Sequence, residues 1–364
     1  LKLAAPRLSF LPCLCAMLWV TSLAYLKPGL GKLAYGWEWI ASNDLANLHQ
    51  AAVFQNGWTT DLSPWLREWL DSSMLYLNTP LKIGTLILEV GILLIVARRS
   101  LAVLFLVGCS SMHLGIFIFS GIYFWKWIAM DLLLAGVLAA LPAEKVKELF
   151  RPQLAAFGLA AIAVLLGLYK RPPTLAWLDS PLARRWHIEA VGESGARYQI
   201  PPSALAPYDL TIAQARLDFL SDRTYFVGCF GCIKDVKLCR AVSAAQSAAE
   251  VEKIREAIPT RKHEPESYRR FERLLKQYVQ RGPSIADYGA FAYLKAPQHI
   301  WSRPIPGGAP AYEFQEPIAR IEIFAQEAWR RPDGMQPIHQ DLAFRLNFSE
   351  PAAMAAAPDA PIFK

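Results

Sequence analysis

The chain has 364 residues, 54% of them hydrophobic and 19% charged, with a net charge of +7. Residues 1–171 hold 14 of the Lys and Arg but only 9 of the Asp and Glu, and the apolar residues crowd into the same half. This excludes a uniformly water-soluble protein and argues against a nucleic-acid partner, because basic residues beside apolar runs report membrane topology or anionic headgroups.

Five apolar runs point to helices that cross a bilayer, each approaching the ~17–25 residues such a crossing needs. They are Leu8–Leu26, Ile83–Ala97, Leu101–Ser120, Tyr123–Leu141 and the shorter Leu154–Tyr169. The first follows Lys2 and Arg7 without a small-x-small cleavage site, so it reads as a retained helix, and the missing initial Met leaves room for residues upstream. Lys2 and Arg7, Arg98 and Arg99, and Lys145, Lys147 and Arg151 fall on one side of a five-helix bundle. The positive-inside rule makes that side cytoplasmic, with the tail periplasmic if the source is bacterial and the membrane is an inner membrane.

Between the first two runs, residues 27–81 hold Trp37, Trp39, Trp58, Trp65 and Trp69. Indoles favour the headgroup layer, so this segment is expected to lie along the outer interface as short helices, with most of the Trp residues as aromatic anchors. The bundle with this segment spans residues 1–171, an extramembrane α+β domain residues 172–350, and an Ala/Pro-rich arm residues 351–364.

In the tail, Trp186–Val191, the turn Gly192–Gly195 and Arg197–Ile200 predict a β-hairpin. Thr224–Val227, Ile318–Phe324 and Leu342–Phe348 read as further strands, and Ala241–Ala257 and Ser267–Arg281 as helices. In the second helix Tyr268, Phe271, Leu275 and Tyr278 share one face, which is expected to pack on its own domain.

Ionisable residues inside spans are costly and mark functional candidates by default. Glu89, His113 and Asp131 are such residues, one in each of the second, third and fourth runs. All three lie at similar depth and are expected to meet in one layer, either as a proton relay or as a hydrogen-bonded cluster that fixes packing. One His and two carboxylates on three helices make a weak ligand set, and no metal is expected. Lys32, just past the first run, is either a snorkelling anchor or a base in an apolar pocket.

Cys229-Phe230-Gly231-Cys232, with Cys239 seven residues on, forms a second candidate centre. Thiol exchange is one reading, and a structural disulfide with Cys239 as an alternative partner is the favoured one.

Tyr25, Gly29, Lys32, Leu33 and Trp37 together resemble the segment that carries the catalytic-base lysine in vitamin K-dependent gamma-carboxylase and its horizontally transferred transmembrane (HTTM) domain relatives. Glu89-Val90-Gly91 with Arg98-Arg99, Ser111-Met112-His113 and Gly121-Ile122-Tyr123-Phe124 extend the resemblance over residues 24–141, about a third of the chain. It implies Lys32 as the base that deprotonates a reduced quinone, and a β-rich domain outside the membrane. The bundle is also similar to small four-helix redox-associated proteins of the DoxX type. Fewer helices precede Lys32 than in the carboxylase family, which points to an accessory or assembly subunit of a larger membrane complex. The alternative is a quinone- or thiol-linked membrane enzyme with Lys32 as base and a quinone as cofactor. The expected partners are the lipid bilayer and other membrane subunits.

Overall fold

A computed structural model describes residues 10–168, 176–205, 217–221, 230–260, 265–281, 305, 307–332 and 334–348. An N-terminal helical region leads into a sheet-containing region.

The helical region comprises α1 (Phe10–Leu33), α2 (Glu38–Ser42), α3 (Leu45–Phe54), α4 (Pro64–Gly91), α5 (Arg99–Ser120), α6 (Trp125–Ala140), α7 (Ala143–Leu149) and α8 (Pro152–Leu168). Among the described residues three helices are long and apolar enough to cross a membrane: α1, α4 with its 3-10 extension to Val96, and α5. The pair α7 and α8, bent by 45°, makes a fourth if it is one span. At 16 residues α6 is about 24 Å long, short of the ~30 Å hydrocarbon core. Helices therefore stand on all five expected runs, while three reach full spanning length.

Glycines set how closely these helices pack. A Cβ on Gly91 would lie 2.6 Å from the Phe105 ring, and one on Gly108 2.5 Å from Leu88, so α4 and α5 approach as only small residues allow. Gly121, at φ +70, closes α5 in the left-handed conformation. The bundle core runs through Leu14, Leu18, Ile92, Ile95, Leu106 and Leu138, all buried.

The Trp-rich segment differs from expectation at both ends. Its middle does form short helices, namely α2, α3 and a 3-10 turn at Trp58–Asp61. The flanks do not: α1 runs on through Pro28 to Leu33, and residues 64–81 are the first half of α4, which begins with Pro at its first position. Nor do the Trp residues share one role. Trp37, Trp65 and Trp69 are exposed, whereas Trp39 is buried under the sheet region. Trp58 stacks on Phe117 at 5.4 Å and donates to its carbonyl.

The sheet region contains β1 (Leu178–Asp179), β2 (Leu182–Gly192), β3 (Arg197–Gln199), β4 (Cys232–Ile233), α9 (Val236–Ala244), α10 (Ala248–Glu256), α11 (Pro265–Arg281), β5 (Ile318–Arg331) and β6 (Gly334–Asn347). The main sheet is antiparallel in the order β3-β2-β5-β6, and β1 pairs separately with β4. The expected hairpin is β2–β3, with Glu189 opposite Gln199 and Gly195 at φ +84 in the turn. β5 and β6 extend well beyond the expected strands, and bulges interrupt their ladder near Ile323/Phe324 and Glu327/Ala328. The apolar stripe of α11, with Phe271, Leu274, Leu275 and Tyr278, packs on Trp186, Ile188, Ile321 and Ile323, as its periodicity predicts. The single helix expected over Ala241–Ala257 is two, because Ser247 caps α10 by accepting from the Glu250 N–H and so starts a new helix. The strand expected at Thr224–Val227 and the arm at 351–364 lie outside the described residues.

The two regions meet over α2 and α3. Trp39 packs with Leu178, Leu182, Ile233 and Val242, and Ala51, Ala52 and Phe54 pack with Ala183, Phe230 and Ala328. Hydrogen bonds cross the same joint. Asn47 donates to the Asp179 carbonyl at 2.9 Å, Arg185 to the Phe54 carbonyl at 3.1 Å, and Arg330 to Asp44 and Asn47 at 2.8 Å each. Buried Lys82 braces the segment from α4 by donating to the carbonyls of Ile40 (2.6 Å) and Asn43 (2.7 Å).

Candidate functional site

Four helices of the bundle bring five polar side chains into two contacting sets. In the first, Lys32 Nζ donates to both carboxylate oxygens of Glu89, at 2.6 and 2.7 Å. Lys32 is 9% exposed and Glu89 5%, so each charge depends on the other. Gly29 permits this pairing, since a Cβ there would lie 2.9 Å from Glu89 Cβ. The Gly-x-x-Lys spacing thus has a physical reason: one turn before the lysine, α1 has no side chain where α4 crosses it. The Trp39 ring caps the ammonium at 5.6 Å.

In the second set, Tyr25 on α1 donates its hydroxyl proton to Asp131 Oδ2 on α6. His113 Nε2 on α5 lies 2.8 Å from the same hydroxyl. With the Tyr25 proton directed to Asp131, the hydroxyl accepts from His113 in its Nε2–H tautomer, giving a chain His113–Tyr25–Asp131. Phe124 and Trp127 wall the set, with ring centroids 4.9 Å from His113 and 5.5 Å from Tyr25. Asp131 is fully buried and His113 is 8% exposed, yet His113 Nδ1 and Asp131 Oδ1 have no hydrogen-bond partner among the described residues.

The expected single layer of Glu89, His113 and Asp131 is therefore resolved into two sets. Glu89 turns to Lys32, while Tyr25 joins His113 to Asp131. Tyr25 and Lys32 stand seven residues apart on α1, which places them on one face, and that spacing was the available signal for the role of Tyr25. His49 was also missed. It is fully buried on α3, with Nδ1 2.7 Å from the Phe119 carbonyl and Nε2 3.2 Å from Asp71, and it ties the platform to the end of α5.

Of the cysteine centre, Cys229 lies outside the described residues. Cys232 sits on β4, and its Sγ donates to Asp179 Oδ1 at 3.6 Å. Cys239 is on α9, fully buried and in no disulfide among the described residues, and burial pushes its thiol up to about 11. Asp179 is enclosed at the joint and accepts from Trp177 Nε1 at 3.1 Å. Burial raises its carboxyl from the usual 3.8 to about 6, against the opposing effect of its hydrogen bonds. Among the described residues no group of three or more His, Cys, Asp or Glu could hold a metal ion.

Comparison with known proteins returns no match to this chain among family models, characterised proteins or solved structures.

Proposed function

We propose that this membrane protein transfers protons at a lipid-soluble, redox-active molecule of the quinol type held by its bundle, in the manner of the HTTM and carboxylase-like proteins that residues 24–141 resemble. The observation that carries this reading is a pair of buried atoms, His113 Nδ1 and Asp131 Oδ1, that have no partner among the described residues and stand at the two ends of one hydrogen-bonded chain. A buried polar atom left unsatisfied costs about 1–3 kcal/mol, so two in one cluster favour a site that a polar head or a water completes. In this reading His113–Tyr25–Asp131 relays the proton. Lys32 can act as the base only after its ammonium passes a proton to Glu89, which leaves a neutral amine able to accept the proton of a ligand hydroxyl that replaces part of that contact.

A second reading, an accessory or assembly subunit, is favoured by the two-point hold of Glu89 on Lys32, which leaves the ammonium neutralised and enclosed. Exposed Trp65, Trp69 and Tyr76 on α4 also offer surface to a partner. In either reading the tail faces the periplasm of a bacterial inner membrane.

The deciding experiment is purification in mild detergent with mass spectrometry of proteins and extracted small molecules. A lone chain retaining a quinone, with retention lost in Tyr25→Phe and Lys32→Ala, is the expected result. Stoichiometric partner proteins without a quinone would overturn the enzyme reading in favour of the subunit.

A further inference from the structure

We propose that the groove between α1 and α6 binds one acyl chain of an anionic phospholipid, with the lipid phosphate held by Lys126. The groove has a volume of about 400 Å³, and its walls are apolar side chains such as Leu14 and Met17 on α1 and Ala129, Leu133 and Val137 on α6. From Lys126 to Val137 the α6 wall rises about 17 Å at ~1.5 Å per residue, close to half of a ~30 Å hydrocarbon core. The groove is therefore one leaflet deep. A partner helix, ~10 Å across, needs several times this volume over the same length, whereas a single extended chain fits.

The chemistry of the mouth selects the head. Lys126 is the charged residue among those lining the groove, it is exposed, and no acidic side chain pairs with it among the described residues. Its ammonium lies 5.7 Å from the Trp125 ring centroid, while Trp125 Nε1 is itself buried, so the lysine is the group that meets a headgroup. An exposed lysine packed beside an indole at one end of an apolar groove matches a phosphate above a hydrocarbon chain: the lysine stem stays in the apolar layer while its charge meets the headgroup. Asp131, on the buried side of α6, does not line this groove, so the site is separate from the polar centre. The inference needs α1 and α6 to lie in the bilayer and is independent of any quinone.

The test is native mass spectrometry of the full chain in mild detergent, titrated with phosphatidylglycerol and phosphatidylcholine of identical acyl chains. One Lys contributes ~1 kcal/mol toward an anionic lipid, so phosphatidylglycerol should bind about fivefold more tightly. Lys126→Gln should reduce that preference to parity. Ala129→Trp, which fills the groove, should lower binding of both lipids, whereas Leu165→Trp on the exposed side of α8 should change neither. Equal binding of the two lipids by the unaltered protein, or a preference that survives Lys126→Gln, overturns the proposal. Should Ala129→Trp fail to fold, the Lys126→Gln comparison decides alone.

Discussion

Lys32 and Glu89 show what a buried ion pair asks of its neighbourhood. Neither charge is tolerable alone at 9% and 5% exposure, so removing one partner should cost about 3–5 kcal/mol, and replacing both with apolar residues should cost far less. Lys32→Met is thus expected to lower the thermal unfolding midpoint sharply in detergent, and Lys32→Met with Glu89→Leu to recover most of the loss. A Lys32→Met protein as stable as the unaltered chain would show that the pair is not formed. All four charged or ionisable members of the centre were visible in the sequence, because an ionisable residue in an apolar run stands out against its background. Their partners were not. Depth along a helix can be counted, but which way Glu89 turns depends on the crossing of α1 and α4, set by the absent side chain at Gly29. Tyr25 stood out only as part of the resemblance, and its role was not legible, because an aromatic residue near the end of a span gives no sign of its partner until a carboxylate is seen to meet it.

At the scale of elements, the joint between β1 and the α2–α3 platform holds a carboxylate that titrates near neutrality. Asp179 has its pKa raised by burial to about 6, so the folded state holds that proton more tightly than the unfolded chain does. Its contribution to stability is fully present below the unfolded value near 4 and is lost as pH rises through about 6. At ~1.4 kcal/mol per unit this amounts to roughly 3 kcal/mol. Asp179→Asn keeps an acceptor for Trp177 and Cys232 and should remove the dependence. The gain in unfolding temperature of this variant should be small below pH 4, grow mainly between pH 4 and 6, and level off above pH 7. A gain independent of pH would place the titrating group elsewhere. The elements themselves were legible wherever one face met one environment, as in α11 and the β2–β3 hairpin. They were less so where a segment changes neighbours part-way. Near its middle α4 braces the platform through Asn78 and Lys82, so the composition of its first half is mixed and the boundary of the apolar run misplaces its start by some twenty residues.

For the whole molecule, the distribution of Lys and Arg sets the expected orientation. In a background with the native cysteines replaced by Ser, Glu148→Cys and Ser194→Cys should react with a membrane-impermeant maleimide from opposite faces of sealed vesicles. Reaction from the same face would reverse the assignment of one end of α8. The sheet region does not hang from the bundle by its linker alone, because bonds span 136 residues from Asn43 to Asp179 and 286 residues from Asp44 to Arg330. During synthesis at ~5–20 residues per second, the platform emerges roughly 7–27 s before β1 and roughly 14–57 s before the end of β5. For that interval Trp39, Ala51 and Phe54 have no sheet to cover them. Maturation of this protein is therefore a race in time: a chain stalled before β5 leaves an apolar shelf open beside the bundle, where quality-control proteases would find it.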